Sequence, residues 1–474
     1  MTNTYSALEF CDPFSPCDID VRVNELSGEL STSSVLLSSC DYQNDPRSFL
    51  ETTPSLSISS ELKLSKTEIM TQYFFEQLVM SGTWLSLLPQ LYIRSCENSA
   101  LRHSIRAASL LLLGNQAGDH GAIGSARKFY GRCLNLLNVA LDDDAQKLKD
   151  ETFCTVLVLH LISDIAGERS VTSGSHLRAC KSLLLQRASQ QYSASTNSKV
   201  ANSLVIQAQA YVLKHYPEWS ELCEEQVCHR ASAEPAAEIL RCCLAIGKLR
   251  TSVENLSNVL VGSATNIQMV WLDALQGAEE IDRRFEEWER SLTGRWLPMT
   301  TSHSLSDVLD ATMDFYNDIQ VGKVWNQYRC ARIALHELII EIVENVVYIC
   351  PSSRQNVVPK VKRSAQTITN MLSAICDSIP FHLQRVDSRG QLVTQTAQRV
   401  LGGEHLLWPL DVVLHSRWSN NSQRTQAHKT LEEIGTSLGL KQASKTIQRE
   451  QEAHITLTEE DFYTEFPAVS WPAC

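Results

Sequence analysis

Fifteen cysteines and thirteen histidines in 474 residues raise metal binding as the first chemistry to test. The densest group is Cys223, Cys228, His229, Cys242 and Cys243. A zinc ion needs four such ligands converging at tetrahedral spacing, and this spacing matches no common site. Cys242 and Cys243 are neighbours in a helical pattern and do not easily face one ion, so burial is the plainer reading. Cys11 and Cys17 are separated by five residues, with no CxxC partner anywhere. No metal or other cofactor is expected.

Enzyme motifs fail one by one. HELII (His336 to Ile340) opens like the HExxH zinc-protease helix, but Ile340 occupies the place of the second histidine. The glycines from Gly114 to Gly124 lack the GxGxxG spacing and the strand that must precede it. Gly247-Lys248 has neither the upstream glycine nor the following Ser/Thr of a phosphate loop, and no GxSxG elbow occurs. His176, His336 and His382 sit in apolar helical patterns, where a histidine is usually a core residue with one satisfied nitrogen. The chain does not read as an enzyme.

Behind these residues stand helices. The remaining cysteines fall mostly in apolar helical stretches (Cys133, Cys154, Cys180, Cys330, Cys350, Cys376), as reduced buried thiols do. Ser99 is a plausible N-cap for a helix through Leu113, the glycines from Gly114 to Gly124 read as a break, and Ser125 starts the next helix. Glu151 to Ile165, His176 to Arg187 and Val270 to Leu292 continue the pattern. Within the last of these only Leu275, Ile281, Phe285 and Trp288 look inward. Thr293 to Ser304 reads as a further break. From Trp325 to Val347, Trp325, Tyr328, Leu335, Ile339, Ile342 and Val346 form a helical stripe that Cys350-Pro351 ends. Strand signals are scarce, so the fold class is all-α. Residues 1–66, rich in Ser and Thr, read as disordered; 67–455 read as one large helical domain.

Hydrophobic content of 43% and charged content of 20% suit a soluble globular chain. The net charge of −12 lacks the positive footprint that phosphate binding wants, so no direct DNA binding is expected. There is neither a signal-peptide pattern at the start nor the roughly 18 unbroken apolar residues of a membrane span.

Several motifs, in order, resemble the regulatory domain of fungal zinc-cluster transcription factors. Trp84, Leu88 and Pro89 match its opening. Tyr130, Leu134 and Leu137 match a second element, Asp150-Glu151 an acidic turn, and His176, Ala179 and Leu183 a further helix. Arg178 stands where that family usually has glycine. WNQYRCARIALHE, with Trp325, Tyr328, Arg329, Arg332, Ile333 and His336, matches a helix of the second part. SIPFH (Ser378 to His382) and LLWPL (ending Leu407 to Leu410) match the two segments after it. The resemblance covers about Glu68 to Leu440. These residues read as packing signatures, with Trp325, Phe381 and Trp408 as core anchors.

The resemblance implies a nuclear regulator of transcription, plausibly of a metabolic or secondary-metabolite gene set. The family's six-cysteine DNA-binding cluster does not occur in this sequence, and a missing upstream exon would explain that. The partners implied are a DNA-binding transcription factor or a second copy as dimer, a coactivator, and a small-molecule effector. At 456–474, Glu459, Glu460, Asp461 and Glu465 interleave with Phe462, Tyr463, Phe466 and Trp471, the composition of an activation segment. The alternative is a helical scaffold or small-molecule-binding protein in the cytoplasm. Lys360, Lys362 and Arg363 are a thin nuclear-import signal.

Overall fold

The computed structural model describes residues 66–79, 83–168, seven positions between 176 and 187, 235–258, 264–303, 311–393 and 399–460. Two packed sets of helices account for nearly all of them. The first comprises α1 (Lys66–Leu78), a 3₁₀ turn (Trp84–Leu87) leading into α2 (Leu88–Arg94), α3 (Ala100–Ala117), α4 (His120–Asp142) and α5 (Asp150–Ala166). Every residue of α5 from Thr152 to Ile165 is buried, which is why the helix is apolar all round rather than striped. Its acidic start is tied down by an ion pair between Arg187 and Asp150. The side chains of Ala179, Cys180 and Leu183 are buried in the same core.

The second set comprises α6 (Pro235–Asn258), α7 (Ala264–Ser291), α8 (Ile319–Ile349), α9 (Arg354–His382), α10 (Val400–His415), α11 (Asn421–Thr436) and α12 (Lys441–Glu460). Helix α8 is its axis and packs against α6, α7, α9 and α10. The expected stripe is buried throughout, from Trp325 to Val346. The helix starts earlier than the stripe suggests because Asp318 caps it, its Oδ1 accepting from the backbone N–H of Gln320 (2.9 Å) and Val321 (3.0 Å).

Several sequence expectations need correction. The glycine-rich stretch is no long break: α3 runs through Gly114 and α4 begins at His120, not Ser125. Gly118 alone turns the chain, with φ +66°, and Asp119 caps α4 by accepting from Gly121 and Ala122. The Ser99 cap does form, accepting from Arg102 N–H at 3.2 Å. Within the break expected at Thr293 to Ser304, Met299–His303 is a strand (β1) paired antiparallel with Ala311–Phe315 (β2). SIPFH and LLWPL form the end of α9 and the body of α10. Pro380 removes the N–H that would bond the Cys376 carbonyl, and Gln426 of α11 donates to that oxygen instead (3.5 Å). Trp408 is half-buried and packs against the core from its edge. Cys350 is half-buried too, and Cys96 is exposed, whereas the other described cysteines are buried and free. Helix α12 extends to Glu460, past the expected boundary at 455. The Ser/Thr-rich start, Arg178 and tail residues Phe462, Tyr463, Phe466 and Trp471 lie outside the described residues.

The two sets share one apolar core, and polar side chains stitch the seam. Asn115 of α3 donates to the carbonyls of Ile165 (2.8 Å) and Gly439 (2.9 Å). Arg399 donates to the carbonyls of Glu76 and Val79 at the end of α1, and Gln77 Oε1 accepts from Val400 N–H. Among the described residues no helix is long and apolar enough to cross a membrane.

Candidate regulatory core and cavity

Asn326, Arg329, Arg332 and His336 follow one another on α8 at spacings of three, three and four, so they share one face. All four are buried, which a polar side chain tolerates only when its hydrogen bonds are made. Each finds its partners on another element. Arg329 donates to Asp314 Oδ2 of β2 (2.7 Å), to the Tyr316 hydroxyl (2.7 Å) and to Asn326 Oδ1 (2.9 Å). Asn326 in turn donates to Ser378 Oγ (3.0 Å), and its amide stands 3.2 Å from His382 Nε2, both on α9. One ring on, Arg332 donates to Asp282 Oδ1 of α7 (2.7 Å) and to the Tyr328 hydroxyl (2.8 Å), which itself donates to Glu289 (2.7 Å). His336 lies between Ser364 of α9 (3.0 Å) and Asp282 (3.2 Å). The face is a ladder whose rungs fix the hairpin, α7 and α9 in one register.

The electrostatics follow from that burial. Burial pushes the Asp282 carboxyl up, but the hydrogen bond from His336 and the charge and bonds of Arg332 outweigh it and hold it at about 2. Asp377 goes the other way: burial, then the neighbouring Asp314 charge, raises it to about 6 despite Arg329. Burial lowers His382 to about 3, with Arg329 adding to the effect, and His405 well below its ordinary value. Both histidines are therefore neutral packing groups. Gly402 of α10 lies so close to α9 that a Cβ there would fall 1.9 Å from the His382 carbonyl oxygen.

Beside the ladder is a cavity of about 310 Å³. Ile319, Phe381, Val386, Val393 and Leu401 form its apolar wall, and Asp318, Gln384, Asp387, Ser388 and Arg399 its polar edge. Gln384 is the non-glycine residue with positive φ (56°) among those described. It ends α9 in a Schellman turn, Arg385 N–H bonding the Pro380 carbonyl (2.8 Å) and Gln384 N–H that of Phe381 (3.0 Å). Glycine usually fills that position, and a side chain there costs about 1 kcal/mol.

Of the residues read from sequence, Trp325, Arg329 and Phe381 come together. Trp325 donates from Nε1 to the Trp296 carbonyl (2.7 Å) and packs on Trp288, while Phe381 meets Tyr316 edge-on with centroids 5.2 Å apart. Trp84 and Tyr130 are buried in the first helical set, away from the ladder. The suspected metal cluster is split: Cys242 and Cys243 are buried on α6, and Cys223, Cys228 and His229 lie outside the described residues. No group of three metal-ligating side chains occurs among the described residues. Lys360 and Arg363 are ion-paired to Glu279 and Glu286 of α7, so the thin import signal is part of a folded face. Asp282, Asp314, Gln384 and Arg399 went unnoticed in the sequence. The signal that a helix cap leaves belongs to Asp318, ahead of α8, and not to any of these four.

Residues 51–210 match the family model of the fungal specific transcription factor domain. The matched residues contain α1 to α5 with Trp84 and Tyr130. The ladder and the cavity lie beyond the matched residues. No curated protein and no solved structure matches the chain.

Proposed function

We propose that this chain is a nuclear transcription regulator that acts through protein partners on a metabolic or secondary-metabolite gene set. The match of residues 51–210 to the fungal specific transcription factor domain carries the reading. The net charge of −12 supports a partner, rather than this chain's own field, as what holds DNA. The buried ladder supports a rigid helical platform, with chemistry spent on register rather than on turnover.

Chromatin occupancy of the tagged chain tests it, with and without deletion of zinc-cluster factors. Occupancy at discrete promoters that disappears with one such factor is the expected result. A cytosolic protein with no occupancy overturns the reading and leaves a helical scaffold or ligand-binding protein. The cavity beside the ladder is the observation that favours this second reading.

A further inference from the structure

Three helices of the second set, far apart in sequence, meet at one place. The first turn of α8 contributes Ile319 to the cavity, the SIPFH end of α9 contributes Phe381, and the start of α10 contributes Leu401. A mainly apolar hollow with a few polar groups is the usual form of a small-molecule site, and this one is at the small end of their range of about 300–1,000 Å³. We propose that it binds a compact, uncharged, mainly apolar molecule carrying one hydrogen-bond acceptor that faces Arg399.

Charge at the edge selects the class. Asp318 Oδ1 already accepts from two backbone N–H groups at the start of α8. Asp387 Oδ1 accepts from those of Arg389 (2.8 Å) and Gln391 (2.9 Å), which lower its carboxyl. An ion of either sign would give up its water to a mainly apolar wall, and an anion would also meet two carboxylates against one guanidinium. A neutral body avoids both costs. Arg399 spends Nε and one amino group on the carbonyls of α1, and its other amino group makes no hydrogen bond among the described residues. That group is the donor left to a ligand. The strained Gln384 turn forms part of the same wall, as backbone strain often does where a ligand is clamped.

Because Arg399 also holds the end of α1, an occupied cavity would tighten the seam between the two helical sets. That consequence rests on the regulator reading; the binding itself does not. Calorimetric titration of the full chain with three matched probes tests the site: cyclohexanone, cyclohexylammonium and cyclohexanecarboxylate. The expected result is a ketone Kd on the order of 1 mM, with both ions at least tenfold weaker. V393W, which fills the hollow from a half-buried loop position, should weaken the ketone at least tenfold with an unchanged unfolding temperature, and S388W at the edge should do the same. No ketone binding, ions bound as tightly as ketone, or both tryptophan variants binding like the wild type would each overturn the proposal. Intact ketone binding without promoter occupancy would sink the transcriptional reading and leave this one standing.

Discussion

Helices α5 and α8 both sit at the centre of their helical sets, yet they are held differently. Two buried hydroxyls of α5 turn back on their own helix, Thr155 donating to the Glu151 carbonyl and Ser163 to that of Leu159, and Thr152 donates to the Gln146 carbonyl just ahead of it. Burial of apolar area is the main hold on α5, and these hydroxyls bond only within it or next to its start. The buried polar groups of α8 reach outward, to Asp314, Ser378, Asp282 and Ser364. A helix held by area tolerates small shifts of its neighbours. One held by a ladder does not, since sliding by a turn leaves charges unpaired in a dry interior. Fixed register around α8 is what gives the adjacent cavity a fixed shape.

The widest gap between the two helices should appear on removing Arg329. Arg329→Met leaves Asp314 and Asp377 facing each other without their cation, and should cost about 4 kcal/mol in urea unfolding of the full chain. Replacing the partner as well, R329M with D314L, should recover most of that loss, because an apolar pair of similar size has no charge to strand. If the double variant is no more stable than R329M, the ladder is not a matched pairing and the contrast with α5 fails.

Leu157→Ala on α5 is the counterpart. The side chain is fully buried, and its loss should cost about 3 kcal/mol as transfer and cavity terms. No remote substitution should recover it. L157A and R329M should be additive, as changes without shared partners are. A coupling above about 1 kcal/mol would mean that the two helical sets report on each other and are not independently held.

How much of this was legible follows the same division. The stripe of α8 was readable because apolar residues at helical spacing announce a buried face. The ladder was not, since a buried Arg329 and an exposed Arg283 are the same letter until a partner such as Asp314 is brought in from a distant turn. The hairpin was missed because β1 and β2 are only five residues each and lack the alternation of a longer strand. The glycine stretch misled because Gly114 serves helix packing, with Ile123 filling the space a Cβ would take, and only Gly118 serves as a turn. The cavity had no sequence signal: its walls come from the ends of three helices and the stretch after α9, which packing alone brings together.

A smaller effect tests the seam. Arg399→Ala removes charged donors from two carbonyls of α1 and should cost about 2 kcal/mol. The loss should be local, with amide exchange in α1 accelerating while α8 stays protected. Equal acceleration in both would mean that the two sets open as one unit, and the comparison would lose its basis.

The smallest expected effect is a pH dependence in which two acids of the second set oppose each other. Asp282, held at about 2, adds stability that is complete above its ordinary value of about 4 and is lost as pH falls from there toward 2. Asp377 is raised to about 6, so between pH 4 and 6 the folded chain binds more protons than the unfolded one. Its contribution therefore falls as pH rises through that window, and the penalty is complete above 6. The group is only half-buried, so solvent screening trims the loss to about 1 kcal/mol. Asp377→Asn cannot ionise, and it keeps an oxygen for the hydrogen bonds that Thr312 and Ser373 give Asp377. The variant should match wild type near pH 4 and exceed it by about 1 kcal/mol at pH 7. Urea unfolding at pH 4, 5, 6 and 7 reads this directly. Equal slopes for the two proteins would mean that burial and the Asp314 charge do not strain Asp377, and that the ladder's charge balance is already complete without it.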